Sequence, residues 1–199
     1  MILFCIPYAG VSEALYYSWR DFIDESIKVH QVPLNSRGQL FNKKFYNGIE
    51  DAVKQIFNTI SNRLKYESYA IWVHNMGSLI AYKLYYKIKS TYLPLPQHIF
   101  LSWFKPPNLP RVFDELIYLN NYGFKNRLVK LGDVPEQIVE NDSVLNGNKN
   151  DISKEEAILL REHSDKDFHL YFFEGSHFYL KNIEKIRLIA EKINKILLM

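Results

Sequence analysis

Tyr69-Ala70-Ile71-Trp72-Val73-His74-Asn75-Met76-Gly77-Ser78 is the stretch that decides the fold. Tyr69 to Val73 is a β-branched and aromatic run, the composition of a buried strand. It stops at a sharp break around Asn75-Met76-Gly77. Leu79 to Ile88 then carries apolar residues at helical spacing. The stretch therefore reads as strand, tight turn, helix.

Working outward, the same alternation recurs. Ile2 to Ile6 is a short apolar run closed by Pro7, as expected of a fully buried strand. Ser12 can cap a helix holding Leu15, Trp19 and Phe22. Ile27 to Val32 is a second strand, closed by Pro33, and Leu34 to Gly38 is polar loop. Ile49, Val53, Ile56 and Ile60 place an amphipathic helix over about Gly48 to Leu64. After Pro94 and Pro96, His98 to Phe104 is another strand.

From Phe113 to Leu131, apolar residues fall in short segments split by Gly123 and Gly132, the pattern of small helices forming a lid at about 108–141. Asn141 to Asp151 is loop. Ser153 and Glu156 form a capping box for a helix through Arg161. Phe168 to Phe173 is a strand, and Gly175-Ser176-His177 a turn. Ile183, Ile186, Ala190, Ile193 and Leu197 are the expected buried stripe of the closing helix.

Strands alternating with helices imply an α/β domain over 1–199: a mainly parallel sheet with helices on both faces. In such sheets ligands sit at the carboxyl ends of the strands. Pro7 to Gly10, His74 to Gly77 and Gly175 to His177 all fall there.

The bulk properties remove several function classes. A chain of 199 residues with 47% hydrophobic and 15% aromatic residues has enough apolar surface for one real core. A net charge of +3, dispersed, does not argue for nucleic acid or a membrane surface, and Lys43-Lys44 reads as solvated loop. One cysteine, Cys5, excludes an intramolecular disulfide and fits a reducing cytosol, so a cytoplasmic location is expected. The apolar start lacks a basic leader and reads as strand rather than signal peptide. No metal-ligand spacing and no phosphate-binding glycine loop occurs, so neither metal nor cofactor is expected.

Aligned with the nucleophile-elbow pattern G-x-S-x-G, the central stretch has Val73 for the first glycine, Asn75 for the serine, and Gly77 for the last. Other segments carry a family resemblance in chain order. Leu3-Phe4-Cys5-Ile6-Pro7-Tyr8-Ala9-Gly10, the loop with Leu34, Arg37 and Gly38, His74-Asn75-Met76-Gly77, Ser102 with Pro106-Pro107, Leu131-Gly132 with Pro135-Glu136, and Glu174 to Leu180 together resemble the type II thioesterases of nonribosomal peptide and polyketide synthetases. That resemblance implies an α/β-hydrolase-like fold. It implies His177 as general base, the N–H groups of Ala9 and Met76 as oxyanion hole beside Tyr8, and Asp151 or Asn150 as the acid that orients His177.

The departures from the family are specific. Asn75 stands where the serine should be. Val73 replaces a small residue, and Val11 follows Gly10 where another glycine is usual. The family's helix and core strand between lid and acid loop have no counterpart, and the segment before its first strand is lacking. The core is therefore expected to be shorter than the family's, or completed by a second copy or another biosynthetic protein.

A carboxamide cannot be activated as an acyl-transfer nucleophile. Losing the serine of a triad costs about 10⁶ in kcat. Serine acyl-enzyme hydrolysis is therefore not expected. Asn does tolerate the strained elbow backbone and offers a donor and an acceptor to a carbonyl or water.

Three functions compete. In the first, His177, with Asp151 and Asn75, performs non-covalent proton chemistry such as epimerisation, cyclisation or direct hydrolysis on an acyl or peptidyl thioester, carried by a carrier protein or offered as a small molecule. In the second, the chain is an inactive accessory binding a carrier protein or biosynthetic enzyme. In the third, it hydrolyses with another nucleophile. Ser78 is in the first helical turn and reads as a capping residue instead. Cys5 reads as core, and His74 as structural.

Overall fold

The computed structural model describes residues 1–7, 12–74, 77–102 and 179–199. They belong to one compact unit, Met1–Ser102 with Tyr179–Met199. The second unit, Trp103–Phe178, lies outside the described residues. The lid at about 108–141, the helix capped by Ser153 and the strand at 168–173 therefore fall there.

Four strands form one sheet among the described residues: β1 Ile2–Ile6, β2 Lys28–Gln31, β3 Tyr69–His74 and β4 His98–Ser102. Their order is β2-β1-β3-β4, and every pair is parallel. β1 and β3 are buried along their whole length. This explains why their sequences read as continuous apolar runs: both faces of each strand are covered.

Two helices cover one face, α1 Ile49–Leu64 and α2 Gly77–Ser90. Ile2, Phe4 and Ile6 of β1 and Tyr69, Ile71 and Val73 of β3 share a core there with Val53, Ile56 and Ile60 of α1 and with Ile80, Leu84 and Ile88 of α2. The alternate residues Leu3, Cys5 and Trp72 point to the opposite face, as the two-residue period of a strand requires. There the Trp19 ring lies 4.8 Å from that of Trp72 and 5.3 Å from that of Tyr16.

Trp19 and Tyr16 come from a 3-10 helix, Glu13–Asp21, rather than from an α-helix. Ser12 caps it as expected, accepting from the Ala14 N–H at 3.3 Å. Its buried residues are Glu13, Tyr16 and Trp19, so the expected stripe of Leu15, Trp19 and Phe22 is corrected. A helix of three residues per turn stacks i, i+3 and i+6, not the α-helical i, i+4, i+7.

The closing helix α3, Ile183–Leu197, is capped by Asn182, whose side chain accepts from the Lys185 N–H. Its buried residues are Ile186, Ile189, Ala190 and Ile193. Ile183 is half exposed and Leu197 only partly buried, and Ile189 joins the buried stripe in their place. Asn194 fastens α3 to the turn after the first 3-10 helix. Its amide donates to the Phe22 carbonyl at 2.9 Å and its oxygen accepts from the Asp24 N–H at 3.0 Å. No helix among the described residues is long and apolar enough to cross a membrane.

Candidate active site

β3 ends at His74 and α2 begins at Gly77, so Asn75 and Met76 alone join them. A strand that feeds a helix through two residues must reverse direction abruptly. Gly77 is where the helix comes close to the sheet. A Cβ built there would lie 3.4 Å from the Val73 Cβ and 3.7 Å from the Ile6 carbonyl oxygen. The elbow therefore keeps a close approach of helix to strand, with the bulk on the strand side at Val73.

His74 is fully buried and Ser102 almost so. They are register partners across β3 and β4, and His74 Nδ1 lies 2.7 Å from Ser102 Oγ. The structural role expected of His74 is what the geometry shows. Ser78 is the second residue of α2 and is fully buried. Its hydroxyl has no hydrogen-bond partner among the described residues, so the capping bond expected of it is not seen there.

β1 and β3 are register neighbours, with Ile6 opposite Val73. The segment that begins at Tyr8 and the segment that begins at Asn75 thus leave the same edge of the sheet from adjacent strands. Tyr16 fixes the end of β1, its hydroxyl donating to the Ile6 carbonyl at 3.2 Å.

Glu13 ties the first 3-10 helix to the Arg37-Gly38 loop: its carboxylate accepts from the Gln39 N–H at 2.9 Å and lies against the Gly38 Cα. Gly38 has φ +45°, and an added Cβ would run into the Glu13 carboxylate. Arg37 is held near the same loop, and burial lowers its pKa from the ordinary value. Glu13 was not foreseen, because an acid next to an N-cap looks like an ordinary solvated first-turn residue.

Tyr8, Ala9, Asn75, Met76, Asp151 and His177 all lie outside the described residues. What the structure describes is the frame on either side of Tyr8, Ala9, Asn75 and Met76: the ends of β1 and β3, the start of α2, and the His74–Ser102 contact. Cys5 is not an alternative nucleophile. It is fully buried, and burial pushes its thiol well above the usual range, which keeps it protonated. Among the described residues, no group of three or more His, Cys, Asp or Glu side chains is placed to hold a metal ion.

A family model described as "Thioesterase domain" matches residues 1–148. The chain belongs to the thioesterase domain family. The match takes in the β1 loop and the elbow and ends before Asp151 and His177. Among curated proteins, the medium-chain S-acyl fatty acid synthase thioesterase of Rattus norvegicus is 29% identical over 72% of this chain and 55% of its own length. Gramicidin S biosynthesis protein GrsT of Aneurinibacillus migulanus is 22% identical over 98% of this chain and 90% of its own length. The chain thus spans little more than half of the rat protein.

Among solved structures, ClbQ from the colibactin NRPS/PKS pathway superposes with a TM-score of 0.81 at 20% identity, covering 98% of this chain and 95% of that one. This likeness establishes the α/β-hydrolase-like thioesterase fold for the thioesterase domain described here.

Proposed function

We propose that this thioesterase-family chain serves the biosynthesis of a peptide or polyketide metabolite. It acts on an acyl or peptidyl thioester without forming a serine acyl-enzyme. What supports this reading is Asn75 in the two-residue connection between β3 and α2, which the family resemblance aligns with the nucleophile. The pathway assignment is supported by relatives such as GrsT and ClbQ.

In this reading His177 removes a proton from the carbon beside the thioester carbonyl, and Asp151 or Asn150 orients the imidazole. The N–H groups of Ala9 and Met76 stabilise the enolate oxygen. Asn75 holds the carbonyl or a water and does not attack. Returning the proton to either face gives epimerisation. Where His177 instead takes the proton of an internal nucleophile or a water, that group attacks the thioester carbonyl, the C–S bond breaks and the thiolate leaves with the proton from His177, giving cyclisation or direct hydrolysis.

A second reading, an inactive accessory that binds a carrier protein or biosynthetic enzyme, is favoured by Asn75 itself, because a carboxamide cannot act as an acyl-transfer nucleophile. The test is deuterium incorporation beside the carbonyl of a short acyl-pantetheine in heavy water. The proton-transfer reading expects exchange by the native chain and its loss in His177→Ala. Tight binding with neither exchange nor hydrolysis leaves the accessory reading.

A further inference from the structure

Between β2 and α1 the chain presents Phe41-Asn42-Lys43-Lys44-Phe45 to solvent. Phe41 is 74% exposed and Phe45 58%. Single exposed apolar residues are ordinary, but here two phenylalanines within five residues are both exposed. Lys43 and Lys44 between them are exposed as well. Neither has a carboxylate at ion-pair distance among the described residues, where Lys83–Glu50 is the ion pair found.

The loop is held in shape. The Ser36 N–H donates to the Leu40 carbonyl at 2.9 Å, the Ser36 hydroxyl donates to the Lys43 carbonyl, and the Lys43 N–H donates to the Leu40 carbonyl at 3.0 Å. On the far side Tyr46 is the anchor. Its hydroxyl accepts from the Asn35 N–H at 2.9 Å and donates to Gln55 at 2.7 Å, and its ring packs against the core. Ser36 itself has φ +61°, a conformation that costs a non-glycine residue about 1–2 kcal/mol. Strain of this kind persists only where surrounding contacts over-determine it. The anchors thus fix the backbone while leaving the two rings and two ammonium groups outside.

The loop's position gives this shape a use. β2 runs parallel to β1 and β3, so the chain leaving it emerges at the same carboxyl end of the sheet as the chain leaving β3. α1, which the loop feeds, starts from that end.

We propose that the Phe41–Phe45 loop is a docking surface for an acidic protein domain, the carrier that presents the acyl group to the site. Its occupant rests on the thioester reading above. Aromatic anchors on a backbone already held in place lose less conformational freedom on binding, and lysines beside them with no carboxylate at ion-pair distance among the described residues favour a negatively charged partner. An anionic membrane fits less well. Lysines contribute about 1 kcal/mol each at such a surface, and lipid-binding clusters hold roughly four to eight of them.

The experiment titrates the full chain with three probes: a carrier domain without its pantetheine arm, free acyl-pantetheine, and phosphatidylglycerol vesicles. Phe41→Ser/Phe45→Ser and Lys43→Glu/Lys44→Glu are compared with native, each checked for an unchanged thermal midpoint. The expected result is carrier binding that weakens with salt and falls about tenfold or more in each double variant, with acyl-pantetheine binding untouched. Carrier binding indifferent to the loop, no carrier binding, or loop-dependent binding to vesicles overturns the proposal. If the carrier binds through the loop while free acyl-pantetheine does not bind, the site reading fails and the docking surface stands.

Discussion

His74 Nδ1 and Ser102 Oγ lie 2.7 Å apart at the carboxyl ends of two neighbouring parallel strands. The contact joins β4 to the last residue before Asn75. A buried hydrogen bond at this point restrains the residue from which the elbow departs, because His74 can no longer rotate without losing its Ser102 partner.

Ser102→Ala removes that buried hydrogen bond. The expected cost is about 0.5–1.5 kcal/mol, the net worth of a typical intramolecular hydrogen bond. Urea unfolding of native and variant measures it. An unchanged midpoint would show that the contact contributes nothing.

Gly38→Ala should destabilise more than Gly77→Ala. At Gly38 the backbone is left-handed, which costs a side-chain-bearing residue roughly 1–2 kcal/mol, and the new methyl meets the Glu13 carboxylate. At Gly77 the new methyl finds ordinary contact with Val73, and the change should stay within about 0.5 kcal/mol. Adding Glu13→Ala to Gly38→Ala removes the collision, so the double variant should lose less than the sum of the singles. Strict additivity argues against the contact.

Cys5 should resist alkylation in the native state at pH 8 and react once urea unfolds the chain. It is fully buried, and burial raises its thiol pKa. Rapid native-state labelling by iodoacetamide would contradict this placement.

His30 gives the fold a defined acid sensitivity. Its pKa is lowered from 6.5, first by burial and then by the charges of Arg63 and Arg20. Arg63 Nη1 lies 3.4 Å from its Nδ1. The unfolded chain therefore binds the proton more readily than the folded one. This group's contribution is fully present above pH 6.5 and is lost as pH falls through its lower folded value. His30→Gln should flatten the decline in stability below pH 6.5, as read by thermal midpoints across that range. An identical decline in the variant would remove His30 as its source.

The sheet was legible because its central strands are buried on both faces. Ile2–Ile6 matches its apolar run residue for residue, and Tyr69–His74 extends its run by one. α1 was legible from Val53, Ile56 and Ile60, which keep strict helical spacing on one buried stripe. The 3-10 helix was not, because a three-residue and a 3.6-residue period differ little over nine residues, and both permit Trp19 to be buried. Glu13 and Gly38 were missed for a related reason: they meet across 25 residues of chain, and nothing local marks the encounter. Of the site, the elbow's position was readable from strand, break and helix. Asn75, Met76, Tyr8, Ala9, Asp151 and His177 lie outside the described residues, so their mutual geometry rests on the family resemblance.

Turnover of an acyl-pantetheine by native chain, Asn75→Ser and Asn75→Ser/His177→Ala, with intact-mass detection of any acyl-enzyme, tests the central claim most directly. The account predicts no acyl adduct on the native chain, an adduct and hydrolysis in Asn75→Ser, and loss of both when His177 is also removed. An acyl adduct formed by the native chain, with turnover through it, would contradict the account, because another nucleophile would then be at work.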